Sequence, residues 1–133
     1  MSVIYDKGRQ KFLEGSINWL TNNIKVCLVD NTYTPDVAAD EFLSAIPGGS
    51  IVATSGNLTS KTTTAGSADA ADVTLTAISG PTVSYAVVYK DTGSAATSPL
   101  IAFLDSGVGL PMTPNGGDII IRWDDSTPKI FRL

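Results

Sequence analysis

A chain of 133 residues with 43% apolar side chains is long enough for one self-sufficient core and too short for two ordinary domains. Nine basic against thirteen acidic residues leave a net charge of -4, which disfavours a generic electrostatic grip on DNA, RNA or anionic lipid. There is no histidine and Cys27 is the single cysteine, so His-based triads, His/Cys zinc sites and an intrachain disulfide are all excluded.

The chain opens Met1-Ser2-Val3-Ile4-Tyr5-Asp6-Lys7. Charges at the sixth and seventh positions interrupt the apolar stretch that a signal peptide needs, so secretion by that route is not expected. No run of about 18 apolar residues occurs, and no membrane span is expected. The sequon Asn57-Leu58-Thr59 is accordingly read as ordinary strand or loop sequence.

Helical spacing occurs only near the N-terminus, where Leu13, Ile17 and Leu20 recur at i, i+4 and i+7 and Phe12 broadens the stripe. Asp6 is the expected N-cap of a short helix over Asp6 to Glu14, within a helical segment reaching about residue 20. Gly8 and Gly15 each weaken a helix by about 1 kcal/mol relative to alanine, so this one has to depend on packing. A second helical turn is expected at Ala38 to Ala45, after the turn residues Pro35 and Asp36.

From Ile24 onward the pattern is that of strands: Ile24 to Asp30, Ser50 to Thr54, Asn57 to Thr64, Val73 to Ile78, Thr82 to Lys90, Leu100 to Asp105, Asp118 to Asp124 and Lys129 to Arg132. In Thr82 to Lys90, Val83, Tyr85, Val87 and Tyr89 share one face and Ser84, Ala86, Val88 and Lys90 the other. Val26-Cys27-Leu28-Val29 and Ile119-Ile120-Ile121 are apolar on both faces and are expected mid-sheet. Connectors such as Pro47-Gly48-Gly49, Ser79-Gly80-Pro81, Gly107-Val108-Gly109 and Pro114-Asn115-Gly116-Gly117 punctuate the strands. The Ser, Thr, Gly and Ala-rich stretch from Ser55 to Ala71 suits either a loop or a polar outer strand. The expected fold is therefore mainly β, a single domain forming an antiparallel β-sandwich or small barrel with a short N-terminal helix.

Chemistry-bearing motifs are few. Asp91-Thr92-Gly93-Ser94 and Asp105-Ser106-Gly107 resemble the Asp-Thr/Ser-Gly loops of aspartic proteases, in which two carboxylates share a proton and activate water, and retroviral-type members are small β-rich dimers. Lys90 stands where that family has an apolar residue, and no later segment resembles the one that braces its loop. The copies lie 14 positions apart, too close to be halves of a two-lobed enzyme, and both sequences make ordinary turns. Asp69 with Asp72, or Asp118 with Asp124 and Asp125, offer oxygen ligands, but no EF-hand pattern is present and solvated loop carboxylates are the expected reading; no metal or cofactor is expected. Cys27, inside an apolar strand without a neighbouring base, is expected to behave as a small hydrophobe. Lys7, Arg9 and Lys11 put three of nine basic residues into five positions, which is either a solvated helix face or a cationic contact with an acidic neighbour. Tyr5 and Trp19 flank the same segment, and the chain ends on the strand-like Lys129-Ile130-Phe131-Arg132-Leu133, expected to pack on its own sheet or a partner.

Tyr5-Asp6-Lys7-Gly8-Arg9-Gln10-Lys11-Phe12-Leu13-Glu14-Gly15, then Trp19-Leu20-Thr21 leading to Ile24-Lys25-Val26, resembles the opening of a small virion protein of tailed bacteriophages. The resemblance continues through Tyr33-Thr34-Pro35, Tyr89-Lys90-Asp91-Thr92-Gly93, Ser98-Pro99-Leu100-Ile101-Ala102, Leu110-Pro111 and Thr113-Pro114-Asn115-Gly116-Gly117-Asp118 to Lys129-Ile130-Phe131, almost the whole chain. Cys27 stands where that family leads one to expect a plain apolar residue such as alanine. The resemblance implies a non-enzymatic virion component, assembled in the host cytoplasm, and in first place a capsid decoration or cement protein that bridges capsid subunits. A tail or baseplate component is the alternative, and a dimeric protease using Asp91 or Asp105 a remote one. The implied partners are the major capsid protein or other virion proteins; sheet edges and terminal aromatics that need cover lead one to expect a dimer or trimer, and the charge and the absence of a long apolar run lead one to expect neither nucleic acid nor membrane. By residue type, Tyr5, Arg9, Phe12, Trp19 and Phe131 are the candidate contact residues.

Overall fold

A computed structural model describes residues 2–107, 109–123, 125 and 129–133. Met1, Val108 and Asp124, which enter the sequence reading above, lie outside the described residues. The elements run β1 (Ser2–Ile4), α1 (Asp6–Leu13), β2 (Ile24–Val29), β3 (Ile51–Thr54), β4 (Ser67–Ala68), β5 (Val73–Leu75), β6 (Tyr85–Lys90), β7 (Leu100–Leu104), β8 (Ile119–Ile121) and β9 (Phe131–Arg132). The protein is mainly β, as its strand-like patterning requires. β1, β7, β6, β2 and β3 lie in that order in one antiparallel sheet, while β4–β9 and β5–β8 form two-stranded ribbons.

The central sheet is buried on both faces because its middle strands are apolar at nearly every position, Lys25 of β2 and Lys90 of β6 being the exceptions. Val26, Leu28, Ala86, Val88, Ala102 and Leu104 face one core, shared with Ile121 and Trp123 from the β5–β8 side, Ile130 and Phe131 from the β4–β9 side, and Trp19. Cys27, Val29, Val87, Tyr89 and Phe103 face a second core, closed by Tyr5, Tyr33 and Ile46. A register shift between Val88 and Tyr89 sets Leu100, rather than Ile101, opposite Tyr89, which sends Leu100 to the second core and Ile101 to the first.

Helix α1 is shorter than expected and buries a different face. Tyr5, not Asp6, is its N-cap, and Asp6 lies in the first turn, where a carboxylate complements the helix dipole. The helix stops at Leu13 in a Schellman motif: Ser16 N–H donates to the Lys11 carbonyl at 2.9 Å and Gly15 N–H to the Phe12 carbonyl at 3.1 Å, with Gly15 at φ +78°. The chain therefore leaves the helical path before Ile17. Ile17 and Trp19 are buried from an extended segment, whereas Leu13 and Leu20, expected on the same inward stripe, are 86% and 52% exposed. The buried residue of α1 is Gly8, which packs on the β7 backbone so closely that a Cβ there would lie 2.5 Å from the Leu100 carbonyl oxygen.

Other differences follow from pairing that local pattern does not encode. Asn57 to Thr64 is irregular and is held by the Leu58 N–H bond to the Ile24 carbonyl, the Ala71 N–H bond to the Thr59 carbonyl, Lys61 Nζ on the Asn22 carbonyl and a bridge between Thr62 and Asp69, with Leu58 buried in the first core. Ile119–Ile121 is not mid-sheet: among the described residues it pairs only with β5, and Ile120 is 45% exposed. Val83 bridges Met112 ahead of β6 and joins the first core, apart from Tyr85 and Tyr89. The expected turn over Ala38 to Ala45 is broken into a turn capped by Asp36, whose Oδ1 accepts from Ala38 and Ala39 N–H, and a 3₁₀ turn at Leu43–Ala45. Among the described residues no helix is long and apolar enough to cross a membrane.

Candidate interaction surface

The five candidate contact residues divide by depth. Tyr5, Trp19 and Phe131 are at most 4% exposed and belong to the cores, because the strands and the chain after α1 bring their rings inward. Phe12 is half-buried and Arg9 is exposed. Tyr5 lies apart from the others, in the second core against Phe103 at a ring separation of 5.4 Å.

The remaining four gather around Phe131. Trp19 meets the Phe131 ring edge-on at 5.2 Å, and Phe12 approaches it at 5.8 Å. The Trp19 indole is held by an Nε1–H bond to the Asp69 carbonyl at 3.1 Å, as Trp123 is held by the Ala71 carbonyl at 3.1 Å. On one side of Phe131 lies an apolar groove of about 250 Å³ lined by Phe12, Ile17, Trp19, Ala68, Phe131 and Leu133. Leu133 is itself 58% exposed. On the other side a groove of about 360 Å³ is lined by β1 together with Asp6, Arg9, Val37, Phe131 and Arg132. Leu13, Leu20, Leu133 and Arg132 were not among the contact candidates; only Gly15, which ends the helix before the stripe can close, signals the exposure of the first two.

The basic cluster is only partly available. Lys11 is paired with Glu41 at 3.0 Å and lies 5.1 Å from the Phe42 ring centre, so it staples α1 to the segment before the 3₁₀ turn. Among the described residues Arg9 has only a 3.9 Å contact with Asp6 on the same helix, and both side chains are more than half exposed.

The Asp-Thr-Gly motif is a braced turn. Asp91 Oδ1 accepts the Gly93 N–H at 3.0 Å, and Oδ2 pairs with Lys25 Nζ at 3.0 Å. The Gly93 N–H first, and Lys25 second, hold the Asp91 carboxyl below the usual aspartate range, the opposite direction from a carboxylate that must keep a proton. Thr92 is tied to Ser98, whose hydroxyl donates to the Ser94 carbonyl at 2.7 Å. Asp91 follows β6 and Asp105 follows β7, and because these strands are antiparallel the two residues lie at opposite ends of the pair. Of the carboxylates considered as metal ligands, Asp72 accepts the Trp123 N–H at 3.0 Å and Asp118 the Ala77 N–H at 3.1 Å, so both pin backbone across ribbon β5–β8. Cys27 is wholly buried, and burial pushes its thiol up to about 12.

No protein-family model matches the chain, and no curated protein matches it.

Proposed function

We propose that this protein is a structural component of a tailed-bacteriophage virion, and specifically a capsid decoration protein that bridges neighbouring capsid subunits. The observation that carries this reading is the chain-long resemblance running from Tyr5-Asp6-Lys7-Gly8-Arg9 to Lys129-Ile130-Phe131. The molecule suits the role physically. A sheet buried on both faces is a stiff body, and exposed Leu13, Leu20 and Leu133 provide apolar area that a neighbouring subunit or another copy can cover. Repetition over a symmetric shell multiplies a modest contact into high avidity, and a ligand that prefers the assembled state stabilises it by mass action.

Stoichiometry in purified particles tests the proposal. A decoration protein stays on tailless heads in hundreds of copies, whereas a tail or baseplate component is lost with the tail and present in far fewer. Absence from assembled particles overturns both.

A further inference from the structure

Among the described residues β1 is an edge strand: β7 pairs with it on one side and no described strand bonds to the other. Its register sets Val3 opposite Phe103, and the next odd residue, Tyr5, donates its N–H to the Ile101 carbonyl at 3.0 Å. Antiparallel pairing alternates, so Val3 and Tyr5 bond inward and the N–H and C=O of Ser2 and Ile4 point away from β7. Asp6, next in the outward series, donates its N–H to the Val37 carbonyl at 2.9 Å. Val37 thus makes the first bond of a pairing that the chain does not continue. Among the described residues nothing bonds to the N–H of Ser2 or Ile4.

The 360 Å³ groove lies along this open edge. Val3, Ile4, Val37 and Phe131 give it apolar walls, and its charged lining among the described residues is Arg9, Arg132 and one acid, Asp6. Two guanidinium groups against one carboxylate make this a cationic spot on a chain whose net charge is -4. Residues of α1 (Asp6, Arg9) and of β9 (Phe131, Arg132) line the groove beside β1, which leaves room for a single extended chain more readily than for the sheet edge of a second copy carrying the same residues.

We propose that this groove receives an extended acidic segment of another protein, which adds to β1 as an outer strand, bonding to the Ser2 and Ile4 backbone and placing carboxylates against Arg9 and Arg132. The proposal is independent of the virion reading, since it requires only a partner that presents such a segment.

The test uses the full chain with two fluorescent octapeptides, one alternating valine and glutamate, the other valine and lysine. Anisotropy should show the glutamate peptide binding at least about tenfold more tightly, with the preference inverted in the Arg9→Glu, Arg132→Glu double variant. Amide exchange on the unaltered protein should slow at Ile4 when the glutamate peptide is added. Equal binding of both peptides, no binding, or binding that leaves Ile4 exchange unchanged overturns the proposal. So does a concentration-dependent dimer that protects Ile4 without peptide, because the occupant is then a second copy.

Discussion

The Tyr5 hydroxyl lies 2.7 Å from that of Tyr33, and Tyr33 donates its own proton to Asp40 Oδ2 at 2.7 Å. A phenol has one proton, so Tyr5 donates and Tyr33 relays. Asp40 Oδ2 also accepts the Asp36 N–H at 2.9 Å, so the chain of bonds fastens the strand-to-helix junction to the segment covering the second core. Tyr33→Phe strands the groups on both sides of it and should cost about 1–3 kcal/mol, whereas Tyr5→Phe removes only the terminal donor and should cost about 1 kcal/mol. Urea denaturation of both variants and the double variant checks the order, and the double should fall short of the sum.

Alkaline pH attacks the same core. Burial raises the Tyr5 and Tyr33 phenols above the ordinary tyrosine value, and takes Tyr89 to about 12 and the Cys27 thiol to about 12. Each group folds in its neutral form with a raised pKa, so its contribution is complete below the unfolded value and is lost as pH rises toward the folded one. Stability should be level through neutrality and decline above about pH 9, where the unfolded Cys27 thiol begins to ionise. Cys27→Ala should delay the onset. Urea midpoints across that range decide it.

Gly8→Ala and Gly15→Ala should both destabilise, against helix propensity, which favours alanine by about 1 kcal/mol. At Gly8 the added Cβ meets backbone, the Leu100 oxygen at 2.5 Å and the Ile101 oxygen at 3.0 Å, and the helix cannot dock on β7 without moving. At Gly15 nothing lies within 4 Å, and the cost is only the positive φ, about 1 kcal/mol. Thermal melts should place Gly8→Ala as the more damaging of the two.

Asp91→Asn should lower stability by no more than about 1 kcal/mol at neutral pH, since Lys25 and Asp91 are both partly solvated. The Asp91 pKa is depressed on folding, so its contribution is present above the unfolded value and lost as pH falls through the folded one. The gap between the native protein and this variant should close on acidification toward about pH 2, as followed by denaturant midpoints.

Legibility in the sequence tracks how local each feature is. β2 and β6 are readable because Val26-Cys27-Leu28-Val29 and Tyr85–Lys90 carry apolar side chains on both faces, which only a covered strand tolerates. Ser2–Ile4 is too short to show a period, and its strand state exists only through Leu104, Phe103 and Ala102. The threonines of Asn57 to Thr64 favour extended backbone but name no partner, and the ribbon forms instead at Ser67–Ala68. Leu13, Ile17 and Leu20 fit a helical period, yet Gly15 takes the chain out of the helix between the first and the second. For the same reason residue type picked out the segments around Phe131 but not their depth: whether an aromatic ring is core or contact depends on what covers it, and Trp19 and Phe131 cover each other.

The pairing of Ser2 with Leu104 also orders events during translation. As the nascent chain leaves the ribosome, β1 has no partner until Ala102, Phe103 and Leu104 have been made. Closing a loop of that length is costly also in the full chain, so β1 should be among the last strands to gain protection in pulse-labelled refolding.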